Sequence, residues 1–192
     1  MLNLVRTLVL GGILSLGMTP PSVWAVPSDT SRLEFLGFRA GARLEDLDSR
    51  LRRLGGPALR CRRSRIDPRV TECRATLDRP EFVVPVDMWV SAIDSVAGVL
   101  TISATLREEQ LDRWRRYLQD HYGTVGPKIQ GSQRMLQWVR QGRMLRLTWR
   151  LEGPTKVASV SLVDGRVLDD WGRSQTSSPA LHRSKTASQP KS

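Results

Sequence analysis

The sequence contains few of the residues that catalytic and metal sites most often use. It has two cysteines, Cys61 and Cys73, and two histidines, His121 and His182. Gly-x-Ser-x-Gly, His-Glu-x-x-His, Cys-x-x-Cys and phosphate-loop patterns do not occur in it. We therefore expect no catalytic residue, no metal ion and no cofactor. The alternative is a hydrolase with an unrecognised carboxylate site, or a site built on His121, because such sites are defined by geometry rather than by spacing.

Lysine is also scarce, so arginine carries nearly all of the positive charge. The chain has 30 basic and 19 acidic residues, for a formal net charge of +11, and only four of the basic residues are lysines. Residues 50–74 hold nine arginines against two acids, a net charge of +7, and residues 134–150 hold five arginines and no acid. This distribution favours an acidic partner such as nucleic acid, anionic lipid headgroups or an acidic protein surface. A solvated basic surface without a partner is the alternative.

Long apolar runs are absent except near the start of the chain. Residues 1–25 have the pattern of a secretory signal peptide: Arg6 precedes an apolar run from Leu8 to Met18, Pro20 follows, and Ala25 ends a cleavage-like segment. The run is too short to cross a bilayer comfortably. We expect cleavage after Ala25, export to the periplasm or the outside of the cell, and no stable membrane insertion afterwards. An uncleaved anchor is the alternative.

The rest of the chain predicts one folded domain with polar ends. We assign a polar lead-in to residues 26–32, a single α+β domain to residues 33–172, and a disordered basic tail to residues 173–192, which hold little that could be buried. Leucines at helical spacing from Leu44 to Leu54 predict a first helix. Thr105 and Glu108 form a capping-box pattern before a second helix, with its apolar face running from Leu111 to Tyr122.

Short strand-like segments follow each helix, including an apolar stretch from Leu33 to Phe38 that could be an edge strand. We expect an antiparallel sheet of about seven strands, arranged as two helix-plus-meander units, with the two main helices packed on one face. The clearest unit is a hairpin from Met135 to Leu151, which turns at Gln141-Gly142. Its register is expected to pair Trp138 with Leu145, Leu136 with Leu147 and Arg134 with Trp149, leaving Arg146 and Arg150 on the face opposite the core.

The two cysteines lie on neighbouring predicted strands. Residues 58–63 and 70–77 flank a turn at Asp67-Pro68, so that Cys61 and Cys73 fall opposite each other or nearly so. We predict a disulfide, since an exported chain meets an oxidising compartment. A redox or metal-binding thiol pair is the alternative, but the eleven intervening residues and the lack of a nearby histidine fit neither.

Arginines cluster around these two hairpins. A guanidinium group offers a planar fork that binds phosphate or carboxylate in two places at once. The candidate binding residues are Arg60, Arg62, Arg63, Arg65, Arg69 and Arg74 on the cysteine hairpin and Arg146 and Arg150 on the central hairpin.

The stretch from Gly41 to Pro57 contains Leu-Glu-Asp-Leu and ends in Leu-Gly-Gly-Pro. It resembles the opening motif of small envelope proteins, among them the outer-membrane assembly lipoprotein of the β-barrel machinery and the secreted β-lactamase inhibitor proteins. In that group a Gly-led helix ends in Gly-x-Pro before a three-stranded meander. The chain has neither the lipidated cysteine of the former nor a second disulfide. The resemblance implies a non-catalytic protein that works through the surface of its sheet.

Two binding functions follow from the sequence. The first is an exported interaction module whose basic sheet or hairpin surface meets an acidic protein partner. The alternative is binding of an envelope polyanion, such as lipopolysaccharide, an acidic polysaccharide or nucleic acid, through the hairpin from Arg60 to Arg74. The two differ in their dependence on salt, since polyanion binding weakens steeply as counterions compete.

Overall fold

The computed structural model describes residues 32–78, 84–152 and 155–177. The predicted signal peptide, nearly all of the lead-in and most of the predicted tail lie outside the described residues. The elements, in chain order, are α1 (Leu44–Arg53), β1 (Arg60–Arg63), β2 (Val70–Leu77), β3 (Val86–Ile93), β4 (Val96–Leu106), α2 (Glu108–Tyr122), β5 (Lys128–Gln130), β6 (Gln133–Arg140), β7 (Arg143–Glu152), β8 (Thr155–Asp164) and α3 (Gly165–Ser177).

The strands form one open antiparallel sheet of eight strands in the order β1-β2-β3-β4-β8-β7-β6-β5. Helix α1 precedes the four-stranded meander β1–β4, and helix α2 precedes the meander β5–β8. The two units meet where β4 pairs with β8 in the middle of the sheet. The α+β class and the antiparallel sheet are confirmed, and the described residues form eight strands and three helices in place of about seven strands and two main helices.

The two elements beyond that prediction have weak local signals. Strand β5 has three residues, all exposed, so it shows no alternation of apolar and polar side chains. Helix α3 extends to Ser177, past residue 172, where we placed the end of the domain. Its position is fixed by residues distant in sequence, since the indole N–H of Trp171 donates to Asp67 at 2.7 Å.

The core lies between helices α1 and α2 and one face of the sheet. Leu47 and Leu51 of α1 are buried there with the apolar face of α2. The strands contribute a row of paired, buried residues that crosses the sheet. The row is Cys73, Val90, Leu100, Leu162, Leu145 and Trp138. Each large apolar side chain buried in this way contributes roughly 1.5–3 kcal/mol of transfer free energy.

The segment before α1 packs as a turn rather than as the edge strand we expected. Phe35 and Phe38 form an isolated bridge, with Leu36 and Gly37 at positive φ between them. The ring of Phe35 lies 5.1 Å from the ring of Trp114 in an edge contact. Both phenylalanines are fully buried. The turn lets two aromatic rings three residues apart enter the core together, which an extended strand cannot do at that spacing.

Helix α2 begins later than its sequence pattern indicates. Thr105 belongs to β4 and pairs with Val157, because the strand continues its alternation to the fully buried Leu106. The cap falls at Arg107 instead, whose backbone N–H donates to the Gln110 side-chain oxygen at 2.8 Å. The predicted capping box at Thr105 and Glu108 is therefore wrong by two residues.

Both hairpins have the predicted register. Trp138 pairs with Leu145, Leu136 with Leu147 and Arg134 with Trp149. The turn residues Gln141 and Gly142 have φ of 48° and 74°, as the tight two-residue hairpin turn requires. Cys61 pairs directly with Cys73, and the two form the predicted disulfide with an S–S distance of 2.02 Å.

Helix α3 packs on one end of the second face of the sheet. A Cβ atom built on Gly98 would lie 2.9 Å from Leu168, 3.5 Å from Val167 and 3.7 Å from Ile93. Glycine at this position lets α3 approach the backbone of β4. Among the residues that the structure describes, α3 covers only this end of the second face.

Candidate functional site

The second face of the sheet, beyond the end covered by α3, is polar, and we call it the open face. One row of paired residues crosses seven strands on it. The row consists of Arg60, Arg74, Trp89, Thr101, Ser161, Arg146 and Gln137. It holds three arginines and no acidic residue.

The middle of the open face carries small hydroxyl side chains, which we call the hydroxyl patch (Thr101, Ser103, Thr148, Ser159 and Ser161). The Thr148 and Ser159 hydroxyls are 2.7 Å apart, and those of Thr101 and Ser161 are 3.2 Å apart. In the strand register, the larger side chains of Trp89 on β3 and Arg146 on β7 lie on either side of Thr101 and Ser161, and we call the strip between them the trough. All five residues are partly exposed, and each hydroxyl can both donate and accept a hydrogen bond.

One side of the trough opens into a cleft of about 580 Å³. Its lining includes Arg60 and Arg74, the partly exposed ring of Trp89, and Asp87. The Thr76 hydroxyl donates to the Asp87 carboxylate at 2.8 Å, which orients the one acidic group in the cleft. An aromatic ring next to two guanidinium groups offers an amphipathic contact surface of the kind that interfaces favour.

On the other side of the trough, Arg146 has a defined orientation. Its Nε and Nη2 atoms donate to the Gln137 side-chain oxygen at 3.1 and 2.9 Å. Arg150 lies four residues along the same strand, on the same face, and is exposed. Both arginines are therefore on the side of the hairpin opposite the buried Leu145 and Trp149.

The disulfide hairpin presents a second basic surface. Arg62, Arg63 and Arg65 are exposed, and Ile66 at the loop is 97% exposed. Cys73 is fully buried in the core, so the disulfide joins this exposed edge strand to the interior. The hairpin is thereby held in place although all four residues of β1 are exposed.

Arg69 differs from the other arginines of the predicted cluster. Its Nε and Nη2 donate to Asp94 at 3.0 and 2.7 Å, and Nη1 donates to the Ser174 hydroxyl. The hydrogen bond that Arg69 donates to Asp94 raises the pKa of Arg69 above its ordinary value. Asp67 accepts from Trp171 in the same cluster, and this hydrogen bond lowers the pKa of Asp67. Arg69 thus joins the β1–β2 loop to the β3–β4 turn and α3.

Sequence reasoning did not single out Trp89 or the hydroxyl patch as site residues. The alternation of buried and exposed residues along each strand does indicate which face they occupy, since Trp89 lies on the other face of β3 from the buried Met88 and Val90. The pairing of β4 with β8, which brings Thr101 next to Ser161, could not be predicted from the sequence because the two strands are about sixty residues apart.

His121 contacts both the backbone and the side chain of Tyr117, one turn earlier in the same helix. It is exposed at the end of α2, its Nδ1 lies 2.7 Å from the Tyr117 carbonyl oxygen, and its ring lies 4.2 Å from the Tyr117 ring. Within residues 32–78, 84–152 and 155–177, no group of three or more His, Cys, Asp or Glu side chains is placed to hold a metal ion. In those same residues, no helix is long and apolar enough to cross a membrane.

The fold and the site define a class: an α+β protein whose described residues form one eight-stranded antiparallel sheet, with α1 and α2 over one face, α3 over one end of the other, and a polar, arginine-bearing open face. No family model, curated protein or solved structure matches the chain.

Proposed function

We propose that the chain is an exported, non-catalytic interaction module that binds an acidic segment of a partner protein across its open face. The observation that carries the proposal is the row from Arg60 to Gln137, in which arginines on both sides flank the hydroxyl patch. The disulfide supports export, because such bonds persist mainly in oxidising compartments.

The dimensions of the open face suit an extended polypeptide. Adjacent strands lie about 4.8 Å apart, so a row that crosses seven strands is roughly 29 Å long. An extended chain covers that length with about nine residues. Its backbone groups would hydrogen-bond with the hydroxyl patch, and acidic side chains near its ends would reach Arg74 and Arg146. Trp89 supplies the apolar contact that an all-charged surface lacks.

Photo-crosslinking tests which surface meets the partner. A photo-reactive residue at position 161, in the hydroxyl patch, is expected to form a protein adduct in cell-envelope extract at physiological salt. The same residue at position 116, on the exposed side of α2, is the matched control and should give none. The double variant Arg74→Gln/Arg146→Gln in the position-161 protein should abolish the adduct, because it removes charge from both sides of the trough. An adduct that survives this variant contradicts the proposal.

A defined probe gives an independent measurement. Poly-glutamate should bind the wild-type chain, and Arg74→Gln/Arg146→Gln should weaken binding at least tenfold. Arg53→Gln/Arg116→Gln, which removes two exposed arginines from α1 and α2, is the charge-matched control and should leave the affinity unchanged. Equal affinities for the three proteins would remove the open face from consideration.

A second candidate function, polyanion binding by the disulfide hairpin, has its own supporting observation. Arg62, Arg63 and Arg65 are exposed together on a cross-linked hairpin, next to the exposed Ile66. Heparin titrations at 50 and 200 mM NaCl test it. Affinity should fall steeply with salt, through counterion release, and a triple Arg→Gln variant at these positions should flatten the dependence. Binding that does not respond to salt refutes this candidate.

A further inference from the structure

A cleft of about 390 Å³ lies at one end of the sheet, apart from the open face. Three segments that are distant in sequence form it: the turn before α1, the β6–β7 turn, and the start of α3. The lining includes four arginines, Arg32, Arg39, Arg143 and Arg166, and we call it the arginine cleft. Of these, only Arg143 lies within the two arginine-rich segments of the sequence, residues 50–74 and 134–150, and none is among the candidate binding residues predicted above.

Positive charge exceeds negative charge in the arginine cleft. Arg143 Nε lies 2.7 Å from Asp164 Oδ2, and Arg166 Nε lies 3.6 Å from Asp164 Oδ1. Arg39, by contrast, makes no ion pair with any residue in the described part of the chain. Arg143 and Arg166 share the Asp164 carboxylate, and Arg39 has no carboxylate partner among the described residues. These three arginines therefore have one neutralising carboxylate, which leaves two positive charges for another anion to balance.

The buried Asp164 carboxylate holds Arg143 and Arg166 in position by ion pairs. Its side chain is 3% exposed, against 24% for Arg143 and 58% for Arg166, so the carboxylate is buried while both guanidinium groups reach solvent. Burial alone would raise the pKa of Asp164. The hydrogen bond and charge of Arg143, together with the charge and backbone N–H of Arg166, outweigh it and hold the pKa below its ordinary value. Asp164 is therefore ionised at neutral pH, and it accepts a hydrogen bond from Arg143 Nε, which leaves the Nη donors of Arg143 for a ligand.

The backbone around Asp164 is packed too closely for side chains. Gly41 has φ of +81°, and a Cβ atom there would overlap the Asp164 carboxylate. A Cβ on Gly165 would lie 2.7 Å from the Gly142 carbonyl oxygen, which instead accepts the Gly165 N–H at 2.8 Å. These contacts hold the three segments at fixed separations, so the arginines converge on a preformed space rather than on a loose surface.

We propose that the arginine cleft is a binding site for a phosphate group, held by Arg39, Arg143 and Arg166. A tetrahedral phosphate presents oxygens in several directions and can accept from forks on three sides, whereas one arginine fork already satisfies the two oxygens of a carboxylate. The volume holds a phosphate or pyrophosphate with room for a small attached group. The site is separate from the open face, so the proposal is independent of the proposed function.

Isothermal titration calorimetry of the full chain with its disulfide intact tests the site directly, with inorganic phosphate, pyrophosphate and glucose 6-phosphate as probes. We expect saturable binding of at least one probe, weakened tenfold or more by Arg39→Gln and by Arg166→Gln. Arg53→Gln and Arg74→Gln, outside the cleft, should leave it unchanged. Tighter binding of pyrophosphate identifies a free phosphate anion as the ligand, and tighter binding of glucose 6-phosphate identifies a phosphate ester.

Nuclear magnetic resonance keeps the test valid if a variant folds poorly. Titrating the wild-type chain with the best probe should shift the backbone amide signals of Gly41, Gly142 and Gly165 along one saturable curve. The proposal is overturned if no probe binds saturably, if Arg39→Gln and Arg166→Gln fold and bind as the wild type does, or if the shifts map to the disulfide hairpin instead.

Discussion

Removal of the Cys61–Cys73 disulfide is the sharpest test of how the basic edge of the sheet is held. The appropriate variant is Cys61→Ser/Cys73→Ala, because Cys61 is exposed and Cys73 is fully buried. The sequence separation is 12 residues, and closing a loop of that length reduces the entropy of the unfolded chain by an amount equivalent to about 3 kcal/mol at 25 °C. The free energy of unfolding, measured by urea denaturation, should fall by that amount.

The loss should also be visible locally. Strand β1 has four residues, all exposed, and in the described part of the chain it pairs only with β2, so without the disulfide little apolar burial keeps it in the sheet. Hydrogen exchange should therefore show the β1 amides losing protection first, while the amides of β4 and β8 exchange only with global unfolding. Wild-type protein in reducing agent should behave in the same way as the variant.

Two results would refute this reasoning. A fall of less than about 1 kcal/mol would mean that the loop-closure entropy does not govern the effect. Unchanged protection of the β1 amides would mean that pairing with β2 alone holds the edge strand, and the disulfide would then be unnecessary for presenting the arginines.

Three further perturbations test the packing. Asp164→Asn should lower the free energy of unfolding by about 3 kcal/mol at pH 7, because it leaves Arg143 without its buried partner. Since folding lowers the pKa of Asp164, the difference in stability from wild type should persist above the ordinary pKa of 3.8 and shrink only as the pH falls below that value. A difference that stays constant down to pH 2 would contradict the lowered pKa. Gly41→Ala and Gly123→Ala both place a side chain at positive φ, which costs about 1–2 kcal/mol each. Only at Gly41 would the new Cβ atom also overlap the Asp164 carboxylate, so Gly41→Ala should be the less stable variant in urea denaturation, and equal losses would contradict this close approach. Leu147→Ala, in the middle of β7 and fully buried, should cost about 3 kcal/mol by the same measurement, and a loss below 1 kcal/mol would mean that this position is not in the core.

The sequence predicts most accurately where one local pattern decides the structure. The central hairpin has both an alternation of apolar residues and a Gln-Gly turn, and these two signals fix the same register. The cysteine pairing follows from strand alternation around the Asp67-Pro68 turn. The predicted helix start at Thr105 was wrong because two local patterns compete there. The capping pattern favours a helix, but the alternation of β4 continues to Leu106, and burial of that side chain favours the strand.

The sites were only partly predictable. The arginines of the two hairpins stand out in the sequence because they are close together in it. The arginine cleft is assembled from segments around Arg39, Arg143 and Arg166, and nothing within any one segment indicates the other two. Helix α3 was missed for a similar reason, because the contacts of Trp171 and Ser174 are with residues about one hundred positions earlier.

The seam between β4 and β8 has a consequence for how the molecule is made. Strand β4 ends at Leu106, and its outer partner does not begin until Thr155, so synthesis completes the first meander well before the second can cap it. Until β8 is made, the outer edge of β4 has backbone N–H and C=O groups without hydrogen-bond partners. Exposed edges of this kind can pair with other chains and so lead to aggregation. A nascent or truncated chain ending near Tyr122 should therefore be prone to self-association, and the closing strand serves as the chain's own protection against it.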